Sequence, residues 1–411
     1  MCNIFLINNI YLNKTYKNNF SFTNIRKYLQ YLNFRLKLLK YKNILSLQKQ
    51  NIVIEMHKKH YLLILVLLIF TSAFAQEYNW QVGIDYFFDN TEYKKSSFID
   101  SETMNGVWLN PAGSITWNET HSLNAGVNLL KIPGVDKMID EAKAIIYYQY
   151  STPNILFRAG SFPKDDLLNN YNNFFFKDSV NNFLPHMDGV YFRIGNNNNF
   201  LNAWFYRTGY ATANSREHFF VGVSGRASRG IYFADFQSYM YHLSNTKPAT
   251  EGYGVSENLQ LQATLGLEYN DEEKFNGLIA AGTLLGYERD RRFENQKYKP
   301  MGFVARADAE IMGIGTKNLL YIGDPRMRLS DSFGGDLYWG TQFLRAKTYL
   351  KNEWYIRLIE SENVKVRFNC NLHFNEGYVM MQQALTVSAS IDNLKKSKNN
   401  NTIYPWKKIF K

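Results

Sequence analysis

Long runs of alternating apolar and polar residues constrain this chain more than any other feature. In 258–269 every odd position is apolar or aromatic and every even position is polar or glycine, from Asn258 and Leu259 to Glu268 and Tyr269. Similar splits recur at 80–88, 122–129, 303–311, 364–374 and 385–392. A period of two predicts β-strands with one apolar face and one largely polar face.

The length of these runs favours strands that cross a membrane. A transmembrane β-strand needs about 9–11 residues, with lipid-facing apolar and lumen-facing polar positions, whereas strands of soluble sandwiches are usually about 5–6 residues long. Aromatic residues also cluster near run ends, as at Trp80, Trp117, Tyr269 and Trp354. Such residues prefer the headgroup level of a bilayer.

About sixteen candidate strands lie between residues 78 and 393, joined by connections that alternate between short and long. Outer-membrane barrels have short periplasmic turns, long external loops and an even strand number. We therefore predict an all-β fold, a transmembrane antiparallel β-barrel of about 16 strands, with 14 to 18 as the range. The short final connection at 376–378 is an exception to this alternation.

The segment 56–75 has the three parts of a secretory signal peptide. Lys58 and Lys59 precede an apolar run from Tyr61 to Phe70, and small residues follow up to Ala75. We interpret 1–55 as an upstream extension with translation starting at Met56; the alternative is a basic amphipathic helix around 25–47. The predicted organisation is thus 1–55 extension, 56–75 signal peptide, 76–394 barrel and 395–411 basic tail.

Charge and cysteine content narrow the function classes. Residues 1–75 carry ten of the eleven net positive charges, and the tail after 394 carries six lysines without an acid. The predicted barrel is therefore slightly acidic, which disfavours a nucleic-acid partner. Only Cys2 and Cys370 are present, too few for a disulfide scaffold or a four-cysteine zinc site. The sequence predicts no metal and no cofactor.

The predicted barrel resembles Gram-negative outer-membrane porin-like proteins. The resemblance covers about 76–394 and rests on the strand pattern, with the stretch Phe157–Pro163 before a long loop as its motif-like support. It implies an outer-membrane location, contact with outer-membrane lipid, and diffusion of small polar solutes, and a homo-oligomer is compatible with it. The tail after the last strand departs from the many barrels that end on an aromatic residue.

Charged residues on the polar faces are the candidate pore lining, because charged rings set solute preference in channels. They are Arg158, Arg193, Arg207, Glu268, Arg306, Asp308, Glu310, Lys365, Arg367 and His373. Alternatively, they pair with one another only to remain solvated. Phe174, Phe175 and Phe176 in the long loop 162–186 are predicted to form a constriction inside the barrel, and an external interaction loop is the rival. In loop 324–347, Tyr338 and Trp339 are expected as interfacial anchors.

The motif search favours a protein that is not an enzyme. The sequence has no H-E-x-x-H, G-x-S-x-G or phosphate-binding loop motif. The function predicted here is an outer-membrane porin-like channel. One alternative is a surface barrel whose long loops bind a polysaccharide or a protein. A less favoured one is an outer-membrane hydrolase that pairs His186 or His218 with a loop carboxylate such as Asp165, Asp166 or Asp188.

Overall fold

A computed structural model describes residues 30–37, 76–164, 167–271 and 275–393. The chain divides into two units, 1–75 and 76–411. In the first, residues 30–37 form a helix, α1, inside the range 25–47 considered above. The predicted signal peptide 56–75 and the predicted tail 395–411 lie outside the described residues. Among the described residues, no helix has the length and apolarity to cross a membrane.

The second unit is built from antiparallel strands, and their bounds match the alternating runs. The first eight are β1 Gln76–Glu92, β2 Thr103–Trp117, β3 His121–Lys131, β4 Glu141–Thr152, β5 Ile155–Pro163, β6 His186–Gly195, β7 Phe200–Gly209 and β8 His218–Arg229. The others are β9 Tyr232–Leu243, β10 Ser256–Asp271, β11 Phe275–Asp290, β12 Lys297–Tyr298, β13 Met301–Ile311, β14 Ile314–Gly323, β15 Thr348–Glu360, β16 Val364–Asn375 and β17 Tyr378–Asp392.

The strands form a closed barrel. Each long strand pairs with its sequence neighbours, and β1 pairs with β17 from Gln81 opposite Asp392 to Glu92 opposite Met381. Sixteen strands make the wall, and the two-residue β12 adds to the end of β11. Closure leaves no free edge, which a sheet in hydrocarbon requires because every backbone donor and acceptor needs a partner. The predicted fold of a sixteen-stranded antiparallel barrel is confirmed.

The outer face of the barrel is apolar although it is exposed. Leu265 and Ile279 are 70% and 57% exposed, and the register places them on the same face of β10 and β11. The alternate positions Asn258, Gln260 and Gln262 are buried on the inner face. Large exposed apolar surfaces of this kind face lipid rather than water.

Tight two-residue turns occur at both ends of the barrel, at 312–313 among the short connections and at 376–377 among the external ones. Met312 and Gly313 both have positive φ (50° and 84°), as do Glu376 and Gly377 (52° and 81°). Two-residue hairpins of this geometry match the twist of the flanking strands. The pair at 376–377 explains why the last external connection is short where the pattern leads one to expect a long loop.

The two longest loops lie inside the barrel rather than outside it. They are 164–185, with helix α2 Asp178–Phe183, and 324–347, with α3 Ser330–Phe333 and 3-10 turns Gly334–Asp336 and Gln342–Arg345. We call residues 167–184 of the first loop and 324–347 of the second the lumen plug. Backbone N–H groups of Lys177 and Thr341 donate to the carbonyls of Trp339 and Asn173, which ties the loops together.

An aromatic core holds the lumen plug to the wall. Phe176 contacts the inward rings of Trp204, Phe220 and Tyr239, with centroid distances of 6.2, 5.9 and 5.6 Å. Trp339 lies 4.8 Å from Phe220. Phe174, Phe175 and Phe176 are buried in this core, and their role as a constriction stays a prediction. Tyr338 and Trp339 are buried here too, so their expected role as interfacial anchors is wrong.

Candidate functional site

A cavity of about 300 Å³ lies between the barrel wall and α2. Its wall side comprises residues of β1, β16 and β17, and its plug side comprises α2 and the residues around Thr341. Loop 93–102 covers it at the end with the long loops, and the exposed Asp100 and Glu102 of this loop line it. The cavity is therefore open to the outer surface, and its volume suits a small ligand or part of a larger one.

A chain of hydrogen bonds crosses four neighbouring strands on the wall of this cavity. Tyr349 Oη lies 2.8 Å from His373 Nδ1, and His373 Nε2 lies 3.1 Å from Gln382 Oε1. The Gln382 amide nitrogen donates to both carboxylate oxygens of Asp89 at 2.9 Å. These residues belong to β15, β16, β17 and β1, so barrel closure is what brings the ends of the chain together.

The direction of these hydrogen bonds determines which ring nitrogen of His373 carries the proton. Carboxylates accept but cannot donate when ionised, so the amide nitrogen of Gln382 must face Asp89 and its oxygen must face His373. His373 then carries its proton on Nε2, and Nδ1 accepts from the Tyr349 hydroxyl. Both ring nitrogens are occupied, so His373 orients the Gln382 amide, and this amide in turn holds Asp89.

Asp178 brings a second carboxylate to the same amide. The Gln382 nitrogen lies 3.2 Å from Asp178 Oδ2, and Lys351 Nζ lies 3.4 Å from that oxygen. Burial alone would raise the pKa of the Asp178 carboxyl, but the nearby Lys351 ammonium and the Gln382 amide hold it below its usual range. Asp178 is therefore ionised at neutral pH, and Lys351 balances its charge.

Two further polar side chains line the cavity from loops. Burial lowers the pKa of the Lys177 ammonium, next to α2. Burial raises the pKa of Tyr93, so its hydroxyl stays protonated, 3.1 Å from His373 Nε2 and 3.3 Å from Gln382 Oε1. The cavity thus combines carboxylates, an amine and neutral hydrogen-bond donors such as the Tyr93 hydroxyl. Side chains of these kinds are the ones used for acid–base catalysis. No group of three metal-binding side chains occurs among the described residues.

The family of this chain is identified by a match to residues 70–397, described as lipid A 3'-O-deacylase-type. The match covers the whole described barrel. The chain belongs to the lipid A 3'-O-deacylase-type family. Among curated proteins, none matches the chain.

Solved structures similar to this deacylase-type barrel are distant in sequence. A loop L8 deletion mutant of OmpT, an outer membrane protein of Vibrio cholerae, has 12% identity and a TM-score of 0.47, covering 77% of this chain and 100% of that one. The outer membrane protein opdK from Pseudomonas aeruginosa has 10% identity and a TM-score of 0.42, covering 77% and 99%. The closed sixteen-stranded barrel and the family match confirm the predicted likeness to porin-like outer-membrane barrels and the outer-membrane location.

The family corrects one sequence-based prediction. The chain was expected not to be an enzyme, and this expectation is wrong because the family that it belongs to is named for an enzyme activity. The motif search could not reveal this, since it tested local patterns. The groups around the cavity are up to 293 residues apart in sequence, as Asp89 and Gln382 are.

Nine of the ten predicted pore-lining residues of this deacylase-type barrel lie on its inner face. Most make ion pairs or hydrogen bonds there: Arg158 with Gln149, Glu268 with Arg226, Arg306 with Asp308, Glu310 with Arg357, Arg367 with Glu353, and His373 with Tyr349. Arg193 lies opposite the buried Asn202, and Lys365 opposite Ser388. Only His373 lines the cavity at α2. Pore lining itself stays a prediction.

Arg207 is the exception. It lies opposite Phe219, which in turn lies opposite His242, on the face that carries Val221 and Leu265. Its expected inward direction is therefore corrected, and its guanidinium pairs with Glu217 on the outer face. Arg207 faces outward because it lies two residues after the outward-facing Phe205, and residues two apart in a strand face the same side.

The sequence analysis missed the central groups of the site. Asp89 lies two residues after the inward-facing Phe87 in β1, and Gln382 is at an inward-facing position of β17. Alternation alone could therefore have placed both on the inner face. Their contact with Asp178 could not be found in this way, because it depends on the loop 164–185 turning into the barrel. His186, His218 and Asp188, considered above for a hydrolase, do not line this cavity.

Proposed function

We propose that this protein is an outer-membrane hydrolase that removes an ester-linked acyl chain from a lipid A-type glycolipid. The observation that carries the proposal is the convergence of Asp89, Asp178 and Gln382 on one cavity that opens at the external end of the barrel. Family membership supplies the reaction class. Loop 93–102 lines the opening at the external end of the barrel, which is the end that faces the outer leaflet.

The proposed reaction uses Asp89 as the general base. A water oxygen attacks the ester carbonyl carbon while Asp89 takes a proton from that water. The Lys177 ammonium stabilises the negative oxygen of the tetrahedral intermediate. The acyl carbon–oxygen bond then breaks, and the proton on Asp89 passes to the leaving sugar oxygen. The products are a free fatty acid and a hydroxyl on the glycolipid.

Gln382, His373 and Tyr349 hold the base in place. Two donations from the Gln382 amide fix the Asp89 carboxylate, and the proton on His373 Nε2 fixes the orientation of that amide. Asp178, ionised and paired with Lys351, keeps the amide nitrogen turned towards the carboxylates. Positioning of this kind lowers the entropy that must be lost before reaction.

The test is hydrolysis of purified lipid A in mixed micelles, with released fatty acid measured by mass spectrometry. Asp89→Asn is expected to lower kcat at least about 100-fold, because general-base catalysis typically contributes 10²–10⁴-fold. Asp85→Asn is the matched control, since Asp85 is inward on the same strand, pairs with Asn110 and does not line the cavity. Unchanged release from the Asp89→Asn barrel would contradict the proposal.

A diffusion channel for small polar solutes is the second candidate, and the charged interior near the short turns supports it. A cavity of about 350 Å³ there is lined by Arg193, Arg226, Asp235, Glu268 and Arg306 among others. Charged linings of this kind attract polar solutes. The lumen plug stands against an open route of porin width, and a conductance measurement separates the two functions.

A further inference from the structure

Three cations and a carboxylate lie together on the lipid-facing side of the barrel. Arg289 of β11 lies opposite Glu257 of β10 and opposite Lys297 of β12, so the three side chains share the outer face. Arg291 donates two hydrogen bonds to the Glu257 carboxylate, from Nε to Oε2 at 3.2 Å and from a terminal nitrogen to Oε1. The group therefore has a net charge of +2.

Arg289 has unused donor capacity. Its Nε is buried without a hydrogen-bond partner, and it makes no ion pair with any described carboxylate. Lys297 is exposed beside it. A guanidinium and an ammonium side by side suit a phosphate group, which accepts several charge-assisted hydrogen bonds at once.

The depth of this group in the membrane points to a lipid headgroup. On β10 the outward residues from Leu259 to Leu267 are apolar, and Glu257 is the next outward residue. Two residues of strand correspond to about 7 Å. Arg289, Arg291 and Lys297 therefore lie just above the hydrocarbon, at the external end, where headgroups of the outer leaflet are found.

A groove runs along the outer wall below these cations. Ala281 of β11 lies opposite Ala305 of β13, and the flanking residues in the same row are Leu265 and Leu320. The two small side chains between larger ones leave a lipid-facing hollow of about 530 Å³. It lies eight residues down β11 from Arg289, about 26 Å along a tilted strand, where the end of an outer-leaflet acyl chain is expected.

We infer that this wall binds one phosphorylated lipid of the outer leaflet. Its phosphate contacts Arg289, Arg291 and Lys297, and the end of an acyl chain fills the groove at Ala281 and Ala305. On the described β1 and β17, the outward residues at the external end are Asn90, Glu92 and Gln383, which offer no such pair of cations. The inference concerns binding only and does not rest on the proposed hydrolysis.

The experiment counts retained lipid by native mass spectrometry. The full barrel is placed in phosphatidylcholine nanodiscs containing lipid A, then extracted in mild detergent, and all phosphorylated glycolipid is counted whatever its acyl number. The Arg289→Gln, Lys297→Gln double variant is expected to retain about tenfold less than the unmodified chain. The Lys94→Gln, Lys137→Gln control removes two loop cations elsewhere and is expected to change nothing.

A second variant tests the groove without altering charge. Ala305→Leu fills the hollow and is expected to lower lipid retention at least threefold. The shift in mobility between boiled and unboiled samples on a gel shows that each variant is folded. If either folded variant retained as much lipid as the unmodified chain, the inference would be overturned. If all folded barrels retained the same amount of lipid and only Ala305→Leu lost a dimer, the groove would be an interface with a second copy of the chain. That result would also overturn the inference.

Discussion

At the scale of single residues, Gln382 decides what the interior can do. A glutamine side chain offers one acceptor and one donor group, and here the oxygen faces His373 while the nitrogen faces Asp89 and Asp178. Reversing the amide would place its oxygen against the ionised Asp178 and near a second carboxylate. The polar chain therefore has one stable direction, and this direction determines the tautomer of His373.

Replacing this glutamine tests its role as a shared donor. Gln382→Met keeps the shape but leaves Asp89 and Asp178 without the amide, so we expect a loss of about 1–3 kcal/mol in the free energy of unfolding. Hydrolysis should fall as well, because the base is no longer held. The measurement is denaturant unfolding in detergent, followed by tryptophan fluorescence, alongside fatty-acid release.

Gln383→Met provides the control at the next position. Gln383 faces outward and bonds only to the part-buried Asn90 at 3.3 Å and the sulfur of Met381 at 3.5 Å, so its loss should change stability by less than about 0.5 kcal/mol. Equal effects of the two substitutions would show that the inward amide has no special role. The pair separates a buried network from a general preference for glutamine in this strand.

At the scale of elements, strand alternation was sufficient for the wall and insufficient for the plug. The predicted run 257–270 is Ser256–Asp271 in the structure, because lipid on one side and a polar interior on the other select residue type at every position. Loop 324–347 carried no such signal. Its Leu337, Tyr338 and Trp339 are buried against strands far away in sequence, and only the folded barrel provides that apolar surface.

Polar contacts also anchor this second loop, and they too were invisible in the sequence. Glu288 accepts from the backbone N–H groups of Met327 and Arg328 at 2.7 and 2.6 Å and from the Tyr338 hydroxyl at 2.9 Å. Arg326 is buried and donates to backbone carbonyls, including that of Leu285 at 3.2 Å. A buried charge bound by several partners fixes one loop position, since any other would leave it unpaired.

Phe176 is the residue whose loss should loosen the plug most. It contacts Trp204, Phe220, Tyr239 and Trp339, so truncation leaves a cavity among large rings. Phe176→Ala is expected to cost about 3–5 kcal/mol of unfolding free energy. Phe293→Ala is the control, since Phe293 is half exposed in a loop. Faster proteolysis between 167 and 184 in the first variant alone would locate the change, and identical digestion of both would argue against the packing described.

At the scale of the whole molecule, closing the sheet into a barrel creates room for a channel, whereas filling the barrel with the lumen plug blocks it. A barrel of sixteen strands is wide enough to enclose an aqueous channel. Here, however, the lumen plug occupies its outer half with the aromatic core and leaves charged pairs such as Glu310 and Arg357 towards the short turns. The same plug supplies α2, without which the cavity at Asp89 would have no second wall. Filling the bore is thus what creates the candidate site.

This geometry determines the conductance of the barrel in a planar bilayer. The unmodified chain is expected to show no stable steps of porin size, because rings from both loops and from the wall close the bore. Replacing 167–183 by a short Gly-Ser linker should open it, giving stepwise conductance, and should abolish hydrolysis because α2 is removed. Shortening 246–252, an external loop outside the lumen plug, should alter neither property. Large steps from the unmodified chain would instead favour the channel, because the plug would then have to move aside in the membrane.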